Sequence, residues 1–115
     1  MIGTKNVINA LMANAKLAEL TRGAIHPVVA RFGTDCPYII VRTDAMEVRR
    51  SKRGYREGVT YTVAVVAVAE SYEMLMQLVA EVQKLDTNIY EVNSYHESYE
   101  DPDKLVAELI ISYTI

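Results

Sequence analysis

Over residues 4–20 apolar side chains recur at Val7, Ile8, Leu11, Met12, Ala15 and Ala18, while Lys5, Asn9, Lys16 and Glu19 fall largely between them. That i, i+3, i+4 spacing predicts one amphipathic helix. Thr4 is suited to cap its start, Gly23 to end it in a left-handed conformation, and Pro27 to block continuation. Residues 24–37, with Pro27, Gly33 and Pro37, show no sustained period and read as an irregular connection with room for a short strand at residues 27–31. From Tyr38 the run Tyr-Ile-Ile-Val-Arg-Thr is β-branched and aromatic, and the predicted strand extends toward Val48. The polar residues 49–58 then turn the chain.

Residues 59–69 put Tyr61, Val63, Val65 and Ala67 on one face and Thr60, Thr62, Ala64, Val66 and Val68 on the other. Both faces are apolar through the middle, as in a central strand covered on two sides. The chain's own helices can cover one side, and the other calls for a second subunit. Ser71 can cap a second helix with the face Met74, Leu75, Leu78, Val79, Val82 and Leu85. Glu70 and Glu73 lie at its positive end and Lys84 near its last turn. Residues 89–99 read as a strand with mixed faces, Asp101-Pro102-Asp103 as a turn, and residues 105–115 as a final strand with Leu105, Ala107, Leu109, Ile111 and Tyr113 on one face. The order α-β-β-α-β-β predicts an α+β fold, a mainly antiparallel four-stranded sheet with two helices packed on one face.

At 115 residues the chain has the length of a single domain, residues 1–115, in which folding hides roughly 65% of the unfolded chain's surface. With no Trp and with Phe32 the one Phe, the core must be built mainly from aliphatic residues. A net charge of −3 and a pI near 5.3 argue against a surface given over to nucleic acid or an anionic membrane. No apolar run approaches the ~20 residues of a membrane span, and the first sixteen residues lack a signal-peptide core. The expectation is a soluble protein made in a cytoplasm. Cys36 is the one cysteine, so no internal disulfide can form, and its simplest role is that of a small buried residue.

Sites for chemistry are scarce. No Gly-rich phosphate loop occurs. His26 and His96 lack nearby metal-ligating partners in the sequence, and nothing local would orient Cys36 and His96 as nucleophile and base. Glu91, Glu97, Glu100, Asp101 and Asp103 bunch near the last turn, as a metal or acid/base site or as a solvated acidic rim that deters wrong strand pairing. The strongest charge feature is residues 49–56, where Arg49, Arg50, Lys52, Arg53 and Arg56 gather five of the twelve basic residues. They read either as a solvated hairpin tip or as a basic finger that meets phosphate or an acidic protein surface.

The opening helix closing into Gly-Ala-Ile-His-Pro at 23–27, Pro-Tyr-Ile-Ile-Val at 37–41, the polar hairpin leading into residues 59–69, Ser-Tyr-Glu at 71–73 and Tyr-His-Glu-Ser-Tyr at 95–99 span nearly the whole chain. Together they resemble the tail-completion, or tail-terminator, proteins of long-tailed bacteriophages and prophages. Cys36, where a larger aliphatic residue is expected, and the unusually basic hairpin depart from that family's pattern.

The resemblance implies a structural protein without catalytic residues, metal or cofactor. It would form a homo-oligomeric ring, commonly a hexamer, on the last ring of the tail tube. It would stop tube growth and offer a head-tail joining surface to the connector of the neck. Its place would be the tail-neck region of the virion, and the host cytoplasm during assembly. The basic hairpin would then line the channel, where six copies bring about thirty positive charges to passing double-stranded DNA without reading its sequence, or dock on an acidic protein surface, that of the carboxylates near Glu97 to Asp103 of a neighbouring copy or that of the tail tube. The protein contact is favoured, because tight phosphate binding would hinder DNA ejection. Two other readings stay open: another neck or head-completion protein, and an unrelated small binding module or enzyme.

Overall fold

The computed structural model describes residues 2–29, 35–101 and 104–115. Its elements in chain order are α1 (Ile2–Met12), α2 (Ala15–Thr21), β1 (Ile25–Pro27), β2 (Tyr38–Arg50), β3 (Arg56–Ala69), α3 (Tyr72–Gln83), β4 (Glu91–Asp101) and β5 (Lys104–Thr114). The strands form one five-stranded sheet in the order β1-β2-β3-β5-β4. β1 runs parallel to β2 and the other neighbours are antiparallel.

This corrects the expected four-stranded, two-helix arrangement in two places. The opening helix breaks at Asn14, whose side-chain oxygen accepts from the Leu17 amide at 3.0 Å and so caps a new helix. A short polar side chain that bonds nearby backbone competes with helix continuation. The apolar spacing runs on across this break, which hides it from a periodicity argument. The second correction is the added edge strand. β1 is three residues long and ends in Pro27, too short to show alternation. Its pairing is tertiary: the Ile39 amide donates to the Ala24 carbonyl and the Val28 amide to the Val41 carbonyl, both at 2.9 Å. A proline is tolerated there because the strand is an edge. Residues 30–34, of which 30 and 31 belong to the suggested strand at 27–31, lie outside the described residues, as do Pro102 and Asp103 of the predicted turn.

One face of the sheet carries the core. Ile39 and Val41 of β2, Tyr61, Val63, Val65 and Ala67 of β3, and Ala107, Leu109, Ile111 and Tyr113 of β5 are buried against Val7 and Leu11 of α1, Leu17 of α2, and Leu75, Leu78, Val79 and Val82 of α3. Ser71 caps α3 by accepting from the Met74 amide at 3.2 Å. Thr4 is not a cap: it sits inside α1, buried, with its hydroxyl 2.8 Å from that of Thr43 on β2. One residue earlier, a side chain at Gly3 would come within 3 Å of Thr43 and of the Tyr61 ring. α1 therefore lies close on the sheet where it begins. The same end is tied to β5, because Asn6 donates to the Tyr113 hydroxyl at 3.2 Å and that ring stacks on Tyr61 with centroids 5.4 Å apart.

Candidate functional site

β2 and β3 outlast the rest of the sheet. β5 pairs with β3 up to Thr60, and Val59 still bonds Ile115, but beyond Val59 the two strands run on as an isolated ribbon through the pairs Arg49 with Gly58 and Arg50 with Arg56. The molecule is correspondingly long, 53 × 28 × 24 Å. The tip is closed by the Gly54 amide donating to the Ser51 carbonyl at 2.9 Å and by the Ser51 hydroxyl accepting from the Tyr55 amide at 3.1 Å, with Gly54 at φ +83°. Arg49 and Arg50 lie on β2, Lys52 and Arg53 in the turn, and Arg56 at the start of β3. The first four are exposed, and among the described residues none of them has an ion-pair partner. Arg50 and Arg56 are register partners across the ribbon. Tyr55, 71% exposed, sits among them.

Among the described residues, no layer covers the sheet face opposite the helices. In register there are Ile40 and Arg42 of β2, Ala64, Val66 and Val68 of β3, Val106, Glu108 and Ile110 of β5, and His96 of β4. Neighbouring side chains cover Ala64, Val66 and Val68, while Ile40, Val106 and Ile110 are half-buried. The Arg42 guanidinium crosses this face to Glu108 at 3.1 Å and reaches Asp44 at 3.0 Å. A shallow hollow lies beside it, lined by Val66, His96, Ser98 and Val106.

The structure does not converge the residues that chemistry would need. His26 lies on β1 and His96 on β4, the two opposite edges of the sheet. Cys36 precedes β2, and β3 and β5 separate β2 from His96's strand. Contrary to the expectation of a buried cysteine, Cys36 is half-exposed. Its thiol is pushed up, first by burial and then by the neighbouring Glu70 carboxylate. The acidic group is strung along β4: Glu91 pairs opposite Ser112 at one end and Asp101 opposite Lys104 at the other. Midway, Glu97 accepts from the Tyr72 hydroxyl at 3.1 Å and from Tyr95. Among the described residues no group of three or more His, Cys, Asp or Glu is placed to hold a metal.

A small cavity of about 160 Å³ lies where β2 begins and β3 ends, lined by Cys36, Pro37, Glu70, Ser71 and Met74. Sequence reasoning missed it, because residues 36 and 74 meet only through the long β2–β3 pairing.

No family model matches the chain, and no curated protein matches its sequence. Its fold does have a solved counterpart. A chain from the virion of a native gene transfer agent particle superposes with a TM-score of 0.71 over 94% of this chain and 90% of that one, at 17% sequence identity. The likeness is one of fold.

Proposed function

We propose that this chain is a non-catalytic structural protein of a phage or phage-like virion, which closes the tail tube as a ring and presents the surface joined to the head. The observation that carries this reading is the fold shared with a virion chain over nearly the full length of both. Three features support the finer role. The sequence resembles the tail-completion family, one sheet face has no cover among the described residues, and a basic ribbon projects from the body. The mechanism is steric and interfacial: subunits bury apolar and charged surface between them around a passage wide enough for DNA. The partners are further copies of the chain in a hexamer, the tail-tube protein and the head-neck connector. The Arg49, Arg50, Lys52, Arg53 and Arg56 hairpin serves as a protein contact, with the DNA channel as its alternative.

Co-assembly tests the reading. Purified tail-tube protein from the same virus, polymerised with and without this chain, is expected to give shorter tubes with an added ring at one end in negative-stain images. The intact ring should weigh six subunits. Failure to bind or shorten tubes, together with a monomer at high concentration, refutes it. Binding to purified connector and not to the tube would instead make the chain a head-side neck protein.

A further inference from the structure

The two ends of the β2–β3 pair differ in charge and shape. At one end the isolated ribbon bears the exposed Tyr55 ring in a stretch whose sequence holds Arg49, Arg50, Lys52, Arg53 and Arg56, with Glu47 and Glu57 as the acids of residues 47–57. At the other end is the cavity with Pro37 and Met74 in its wall and Glu70 on its rim. Glu73 lies in the first turn of the adjacent α3, and Asp35 immediately precedes Cys36. Glu70, Glu73 and Asp35 are exposed and have no ion-pair partner among the described residues. Lys104 is the cation close enough to influence Cys36. The thirteen residues of β2 at ~3.3 Å each hold the two ends roughly 40 Å apart. The ribbon cannot reach its own cavity.

We infer that the hairpin of one copy docks in the cavity of a second copy, the Tyr55 ring against Pro37 and Met74, and Arg53 and its neighbouring cations against Glu70, Glu73 and Asp35. Each side supplies what the other lacks: an exposed aromatic ring beside Arg49, Arg50, Lys52 and Arg53, and a partly apolar hollow lined by Glu70, with Glu73 and Asp35 next to its lining residues in the chain, none of these charges ion-paired among the described residues. Because the two surfaces are different and lie at opposite ends, the contact is head-to-tail. Such contacts close into a ring when successive rotations sum to a full turn, and otherwise continue as a filament. The inference rests on the copy-to-copy part of the ring reading, and it concerns the chain alone, without tube or head.

The lone cysteine in the cavity makes the contact testable by cross-linking. Tyr55→Cys, in the full chain at low salt and pH above 8, is oxidised with diamide, which takes up the two electrons of a disulfide. The alkaline pH offsets the raised Cys36 thiol. The expected product is a ladder of oligomers in which peptide mapping joins position 55 of one copy to Cys36 of the next. The ladder should shrink as salt screens the encounter, and adding Cys36→Ser should reduce it to dimers joined through position 55. Dimers alone, or no cross-link, would overturn the inference even if the protein caps tubes. Charge exchange gives a second measurement with the native tyrosine in place. Arg49→Glu/Arg50→Glu/Lys52→Glu/Arg53→Glu and Glu70→Lys/Glu73→Lys should each be monomeric by sedimentation. Mixed in equal amounts they should form alternating assemblies, and persistence of monomers in the mixture counts against the contact.

Discussion

Glu81 is the buried charge among the described residues. Its carboxylate lies under the corner between α1 and α2, beside Asn14, and is only 4% exposed. Lys84, one turn on, reaches over it with Nζ 2.6 Å from one carboxylate oxygen and 3.0 Å from the other. That bond holds the Glu81 carboxyl below its ordinary value, against the opposing effect of burial, with Lys16 and Asn14 adding to it. A carboxyl whose folded pKa is depressed stabilises the fold fully above its unfolded value and ceases to as pH falls through the folded one. Glu81→Gln should therefore melt below wild type at pH 7, with the gap closing as the pH drops below about 4.5. Paired thermal melts from pH 7 to pH 3 measure it, and a gap independent of pH would mean that charge plays no part.

Among the elements, β3 is the one on which the others depend. It pairs with β2 on one side and β5 on the other for most of its length, and Val63, Val65 and Ala67 are fully buried beneath the helices. Val65→Asp would place a charge between Val41 and Leu109 with no partner. The expected cost is on the order of 4 kcal/mol or more, a large share of the ~5–15 kcal/mol that keeps a domain folded. Denaturant unfolding checks this, and amide exchange should show residues 63–67 among the slowest. The β2–β3 ribbon is the opposite kind of element. Beyond Val59 it packs on no third strand, so changing Arg49, Arg50, Lys52, Arg53 and Arg56 together to Ser or Gln should alter stability by no more than about 0.5 kcal/mol. In the capping assay that variant should fail. Normal tube capping and particle assembly with all five replaced would reduce the ribbon to a solvated loop.

At the scale of the molecule, the sheet's borders matter. One edge is a three-residue strand ending in proline, and the other, β4, carries Glu91, His96 and Glu97. Short or charged edges discourage strand-to-strand pairing. The inferred contact through the two ends of the β2–β3 pair would leave those edges alone and let a single contact repeat from copy to copy. The sheet face away from the helices, with Ile40, Val106 and Ile110 half-exposed around the Arg42–Glu108 pair, is covered by no further layer among the described residues.

The helix face of α3, its Ser71 cap, the two-sided apolar run of β3 and the alternation of β5 were legible in the sequence because each is a local repeat: 3.6 residues for a helix, two for a strand. The cluster of cations at residues 49–56 was legible for the same reason. The break at Asn14 was not, since the apolar spacing runs on through it and only a side-chain bond to Leu17 ends the helix. Nor was β1, whose three residues form a strand only because β2 offers them carbonyls and amides. The strand order, the parallel edge, Asn6 bound to Tyr113 at 107 positions' separation and the cavity between Pro37 and Met74 were decided by tertiary structure. Those features are set by which distant segments bury one another's apolar surface, and a local period carries no record of its partner.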